Sequence, residues 1–355
     1  MTNNKKGNQT LIFTNRPSII SAYSVVGTKE GKGPMGKWFD TVLQEDTFGE
    51  KTWEKSESKM LKTAMIEAVN QSGKTKEDIG AMLSGDLLNQ LMSSSFMARD
   101  LHIPFLGMYG ACSTMTESLM LGAVLTDGRY SDNVIVGASS HYCTAERQFR
   151  MPLEHGNQRP PSAQWTTTGA GAMVLSYKGK DWQKEVVTGD SLTKLKQVKV
   201  TSGTIGKVID AGVKDANQMG AAMAPAAVDT LLNHFQDTGK TEKDYDLILT
   251  GDLGYIGKDI AKDLLADAGF SPEGIANCYD DCGAMIFAKE QDVHGGGSGC
   301  GCSASVFSSY VYKRLQRGEL RNALIISTGA LLSTLSPFQG ESIPGIAHAI
   351  VLEAE

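Results

Sequence analysis

The sequence predicts an α/β fold made of two copies of one unit, and three observations carry that prediction. First, residues 73–87 (GKTKEDIGAMLSGDL) return at 239–253 (GKTEKDYDLILTGDL), a shift of 166 with eight of fifteen positions identical. Second, the segment opening Gly110-Ala111-Cys112-Ser113 has a counterpart opening Gly299-Cys300-Gly301-Cys302-Ser303-Ala304. Third, helix-period and strand-like segments alternate in the same order around both. That order implies mostly parallel strands with helical crossovers. A repeat this long is no solenoid. It describes two half-molecules with a cleft between them.

Each copy opens with a helix. Leu61, Met65, Ala68 and Val69 share one face in the first copy, and Ala227, Leu231, His234 and Phe235 share the matching face in the second. His234 stands where the first copy has a small apolar residue and reads as a tolerated boundary residue. Gly-Lys-Thr stops each helix. Strands follow at Ala81-Met82-Leu83 and Leu247-Ile248-Leu249, each running into Gly-Asp-Leu. The segment with Met115, Leu119, Gly122, Ala123 and Val124 reads as a tightly packed helix. Strands then come at Asn133 to Ser140 and at Asn322 to Ala330, and the halves close with strands at Thr167 to Leu175 and Ile346 to Leu352. The expected halves are residues 1–180 and 181–355, the first carrying an insertion at about 141–165.

Composition excludes several function classes. The chain has 355 residues, a formal charge of −6 and no dense Lys/Arg cluster, so no nucleic-acid surface is expected. The 39 glycines predict tight turns and close backbone approaches. The uncharged stretches Val293 to Tyr312 and Asn322 to Gly340 are broken by Gly, Ser, Thr and Pro and do not read as membrane spans. The polar N-terminus lacks an apolar signal core, so export by that route is not expected. Six cysteines lack paired CxxC spacing, and reduced thiols are expected. Cys278 and Cys282, around Asp280 and Asp281, read as part of a solvated loop. The Gly295 to Gly299 run is followed by no Lys-Ser or Lys-Thr, so it is not a phosphate loop.

Gly110-Ala111-Cys112-Ser113-Thr114 before a small-residue helix, the later Thr-Gly-Ala-Gly-Ala strand and the duplication together resemble the thiolase superfamily. The resemblance spans nearly the whole chain and implies a thiolase-like, five-layer α-β-α-β-α sandwich. It also implies that Cys112 occupies the position of an acyl-accepting nucleophile at a buried helix start, where free amides and the helix dipole suit a thiolate. More specific strings are Gly85 to Gln90, Gly110 to Ser118, Thr144 to Arg150, Met223 to Ala227 and Gly295 to Ala304. These are similar to a sporulation branch of the superfamily that loads dipicolinic acid into developing bacterial spores.

The catalytic partners expected of the superfamily are missing. Thr250-Gly251-Asp252 stands where the resemblance implies a His, and Gly299-Cys300-Gly301 where it implies an Asn. A cysteine without a base is a poor acyl-transfer centre. The resemblance therefore implies a non-catalytic binder of dipicolinate, alone or with calcium, and no cofactor. A dianionic ring needs donors, a cation and an apolar wall. The expected ligand residues are Cys112, Ser113, Asn89, His141, Glu146, Arg147, Arg150, Thr168, Asp252 and Cys300, with Cys300 facing Cys112. Asp86, Asp252 or Glu146 would supply oxygen to calcium if it accompanies the ligand, although no dedicated metal site is expected.

The plainer readings stand beside these. Cys112 fits as small buried filler, and Arg147 and Arg150 as partners of Glu146 and Glu154. His141 fits as a satisfied core residue, and Asp86 and Asp252 as turn or cap residues repeated by the duplication. Two rival functions remain open: an acyl-transferring enzyme or thioesterase using Cys112, and a scaffold with a vestigial cleft. The resemblance further implies a homodimer, membrane-embedded sporulation channel partners and a peripheral place on the spore inner membrane.

Overall fold

Strand alternation and helix periodicity build two matching halves. The computed structural model describes residues 4–149, 159–177, 185–188 and 191–355. The first half contains β1 (Ser18–Val26), α1 (Trp53–Gln71), β2 (Ala81–Gly85), α2 (Met92–Leu101), β3 (Phe105–Gly107), α3 (Thr114–Asp127), β4 (Asn133–Ser140), α4 (Tyr142–Phe149) and β5 (Gly169–Ser176). The second contains β6 (Val198–Thr204), α5 (Met219–Thr238), β7 (Leu247–Thr250), α6 (Gly254–Asp267), β8 (Tyr279–Asp281), α7 (Cys300–Val306), β9 (Asn322–Ala330) and β10 (Gly345–Ala354). The boundary expected at residue 180 lies outside the described residues.

The strand order is β3-β2-β4-β5-β1 in one half and β8-β7-β9-β10-β6 in the other. Within each, the first three strands are parallel and the last two antiparallel. The halves join edge to edge where Ile19 and Ser18 of β1 meet Val198 and Lys199 of β6.

Period-two alternation sends side chains to different cores. Leu83, Val134, Val136, Leu249 and Ile325 face a central core shared with Met115, Leu119 and Ala123 of α3 and Ala304 and Val306 of α7. Met82 and Ile135 face an outer core under α1 and α2, and Ile248, Leu324 and Ile326 face the opposite outer core under α5. Two outer cores and a central core that spans both faces of the middle helical layer fill the gaps of a five-layer sandwich. The central layer is close-packed because it is glycine-rich: a Cβ on Gly171 of β5 would sit 2.0 Å from the Ala304 carbonyl oxygen.

The repeated Gly-Lys-Thr segments have the same local structure. Gly73 and Gly239 take left-handed φ of 72° and 71° after their helices. Thr75 with Asp78, and Thr241 with Asp244, then form reciprocal capping boxes. Two expectations need correction. His234 is fully buried, not a boundary residue: its ring nitrogens lie 2.7 Å from Thr204 Oγ1 and 2.6 Å from Tyr245 Oη. Nor is the Cys278–Cys282 segment a solvated loop. Residues 279–281 form β8, Cys282 is fully buried, and Asp281 caps the turn that follows through Ala284 N–H.

Candidate functional site

The cleft forms where the central helices begin. Ala111 takes a φ of +50°, uncommon for a side-chain-bearing residue, and turns the chain into α3 at Cys112. Ser113 Oγ donates to Gly110 O and Thr114 Oγ1 to Ala111 O, both at 2.7 Å, fixing that turn. The cleft and the open solvent at its mouth together hold about 420 Å³ of atom-free space. Its walls are Leu87, Tyr109, Ala111, Cys112, Ala145, Phe149, Thr166, Met219, Ser298, Gly299, Ala330 and Leu332. Both halves contribute, and no Arg or Lys is among these residues.

Cys112 is 6% exposed. Burial pushes its thiol well above the ordinary thiol range, and the negative charge of Asp252 and the neighbouring Cys300 push the same way. Asp252 is held in place from two sides: its carboxylate accepts Gly299 N–H at 2.8 Å and the Thr328 hydroxyl at 2.6 Å. Cys300 is buried with its Sγ 2.9 Å from the Ser139 carbonyl. The three groups thus meet around a protonated thiol. Cys112 lines the cleft, whereas Cys300, expected opposite it, is fully buried and is not among the lining residues.

The remaining expected residues are distributed around this centre. Ser113 is buried in its own turn. Thr168 N–H donates to Glu30 Oε1, and its hydroxyl accepts Tyr142 N–H. His141 is buried, with Nε2 3.0 Å from Asp46 O and Nδ1 accepting Cys143 N–H. Glu146 is buried and accepts the Thr166 hydroxyl at 3.3 Å. Asn89 N–H donates to Gln148 at the exposed edge. Ala145 and Phe149 face the cleft from α4, whereas Arg147 turns outward and pairs with Glu54, not with Glu146. Arg150 and Glu154 lie outside the described residues. Asp86 caps the start of α2 through Leu88 N–H and the amide and hydroxyl of Ser94. Among the described residues, no three His, Cys, Asp or Glu side chains come together as a metal site.

None of the five described histidines lines the cleft. Sequence reasoning missed the wall residues Tyr109, Met219 and Leu332, which come from three distant segments. It also missed Glu57, fully buried behind the site and accepting the hydroxyls of Ser139 and Thr144. Its signal was available, because Glu57 lies four residues before Leu61 on the buried stripe of α1.

A duplicated sandwich with a cysteine at the start of a buried central helix defines the thiolase-like class. Solved structures of that class match nearly the whole chain. A 3-oxoacyl-[acyl-carrier-protein] synthase III from Aquifex aeolicus matches with a TM-score of 0.56 and 10% identity, over 95% of this chain and 99% of that one. An OleA variant from Xanthomonas campestris matches at 0.58 and 13%, over 96% and 99%. The human mitochondrial 3-ketoacyl-CoA thiolase in complex with CoA matches at 0.56 and 12%, over 96% and 98%. At these identities the likeness shows the fold alone. The chain belongs to the stage V sporulation protein AD family, whose model matches residues 7–353. Stage V sporulation protein AD of Bacillus subtilis (strain 168) is 43% identical over 347 residues, 98% of this chain and 97% of that protein.

Proposed function

We propose that this chain is a non-catalytic binder of dipicolinic acid that serves its uptake into the developing spore. The observation that carries this reading is the Cys112 environment. Burial first, and the negative charge of Asp252 second, hold the proton on the Cys112 sulfur, and no histidine among the described residues lines the cleft to take it. Membership in a sporulation family supports the biological setting.

The cleft suits a flat ring. Tyr109, Phe149, Met219 and Leu332 supply apolar walls, and Thr166 and Ser298 supply hydroxyls. Its described walls hold no cation, so the neutral calcium chelate fits better than the bare dianion, which would be desolvated without compensation. Arg147 and Arg150 on and after α4 are the proposed nearby cations; Arg147 reaches the ligand only by leaving Glu54. Cys112, Cys300 and Asp252 form the proposed floor, and Ser113, Asn89, His141, Glu146 and Thr168 the proposed surrounding shell.

A homodimer through the edge of the first half is part of the same reading. β3 ends the sheet, and Leu106, Tyr109, Phe96 and Met92 near it are each 40–48% exposed. No described helix is long and apolar enough to cross a membrane. Placement at the spore inner membrane would then come from channel proteins embedded there.

Calorimetry with dipicolinate, with and without equimolar calcium, tests the reading. Saturable binding, at least tenfold tighter with calcium and abolished by Ala145→Phe, is expected. Absence of binding in both conditions would leave a scaffold with an empty cleft. Acylation of Cys112 with turnover of a thioester probe would restore the enzyme.

A further inference from the structure

A second polar cluster lies across the short strand Trp165–Thr166, which pairs with Gly297–Ser298. Side chains alternate along a strand, so Thr166 faces the cleft and Trp165 the opposite side. The Tyr142 ring stacks on Trp165 with centroids 3.8 Å apart and planes 12° apart. Lys29 Nζ lies 3.6 Å from the same ring centroid, which only the face opposite Tyr142 can accommodate. The Arg159 guanidinium carbon lies 4.7 Å from that centroid. Two cations thus crowd one indole.

Their local compensation is thin. The Arg159 side chain is 10% exposed. Its Nη2 donates to the Asp292 carbonyl at 2.7 Å and lies 3.5 Å from the Asp292 carboxylate. That carboxylate is itself bound by His294 Nε2 at 2.9 Å. Glu30, next to Lys29, is buried and turned away, accepting Thr168 N–H. Arg159 Nη1 is buried and, among the described residues, has no hydrogen-bond partner. A buried guanidinium N–H without an acceptor, beside a second cation, is costly unless an anion completes it.

We propose that Arg159 Nη1 and Lys29 Nζ, over the outer face of Trp165, form a docking site for an oxyanion, a carboxylate or phosphate group, distinct from the cleft. Trp165 holds both cations in place through its π face, and Tyr142 fixes the indole from behind. Arg159 offers the two N–H groups of Nη1 and Lys29 a point charge, which together suit a single oxyanion head.

Isothermal titration at constant ionic strength, with inorganic phosphate and separately with acetate, tests the site. Saturable binding of one or both by the wild-type protein is expected, weakened at least tenfold in Lys29→Met and in Arg159→Gln. The better-bound probe identifies the ligand as phosphate- or carboxylate-bearing. The half-buried Lys29 keeps the test open if Arg159→Gln fails to fold. Absence of saturation, or equal binding by wild type and Lys29→Met, would overturn the proposal.

Discussion

The thiol of Cys112 is kept protonated first by burial and then by the negative charge of Asp252 beside it. Gly299 N–H and the Thr328 hydroxyl hold the carboxylate in that position, so its place is set by the residue that opens α7 and by β9 of the second half. A condensing enzyme needs the opposite polarity there. Asp252→Asn removes the negative charge while preserving shape. Iodoacetamide labelling of Cys112 at pH 7.5, read by mass spectrometry, should then rise roughly tenfold for each pKa unit recovered. Equal labelling in both proteins would mean that burial alone silences the cysteine.

Stability should fall as pH rises through neutrality. Burial raises Glu30 to about 8 from an ordinary 4.5, and burial together with the Asp86 charge does the same for Glu57. Between pH 4.5 and 8 these two carboxyls therefore bind more protons in the folded protein than in the unfolded chain, and the stability they contribute is lost as pH rises toward 8. Urea midpoints should drop from pH 6 to pH 8. Glu57→Gln, which cannot ionise, should flatten that slope by about 1–2 kcal/mol. A midpoint that climbs with pH contradicts the assignment.

The two capping boxes make a matched pair of probes. Thr75 and Thr241 each exchange hydrogen bonds with an aspartate three residues on, Asp78 and Asp244. Thr75→Ala and Thr241→Ala should each cost about 1 kcal/mol. The double variant should lose the sum, because the sites sit in opposite halves without shared partners. Thermal melts of the four proteins check this.

Gly171 tests the central layer. Beyond Ala304 O, its missing Cβ would lie 2.8 Å from Ser308 Oγ. Backbone cannot retreat as a flexible side chain can. Gly171→Ala should destabilise by about 3 kcal/mol or more, or abolish soluble expression. Gly340→Ala, where nothing lies within 4 Å, controls for added bulk while carrying only the strain of its φ of +78°. Similar stability in wild type and Gly171→Ala would show that the layers are looser than described.

The sequence determined the duplication and the element order, because those depend on local periodicity and on turn chemistry repeated within fifteen residues. Gly73 and Gly239, the capping threonines and the apolar stripe of α1 were readable without any tertiary knowledge. Cys112 was readable from its motif, and Asp252 from the absence of a histidine. Only the tertiary structure decided which charges meet. It turned Arg147 toward Glu54, placed Glu57 behind Asp86, and brought Lys29 and Arg159 over one indole from residues 130 positions apart. Periodicity tells which face of an element is buried. It cannot tell which distant polar group shares that burial, and in a medium of low polarizability that neighbour sets the protonation state of each group.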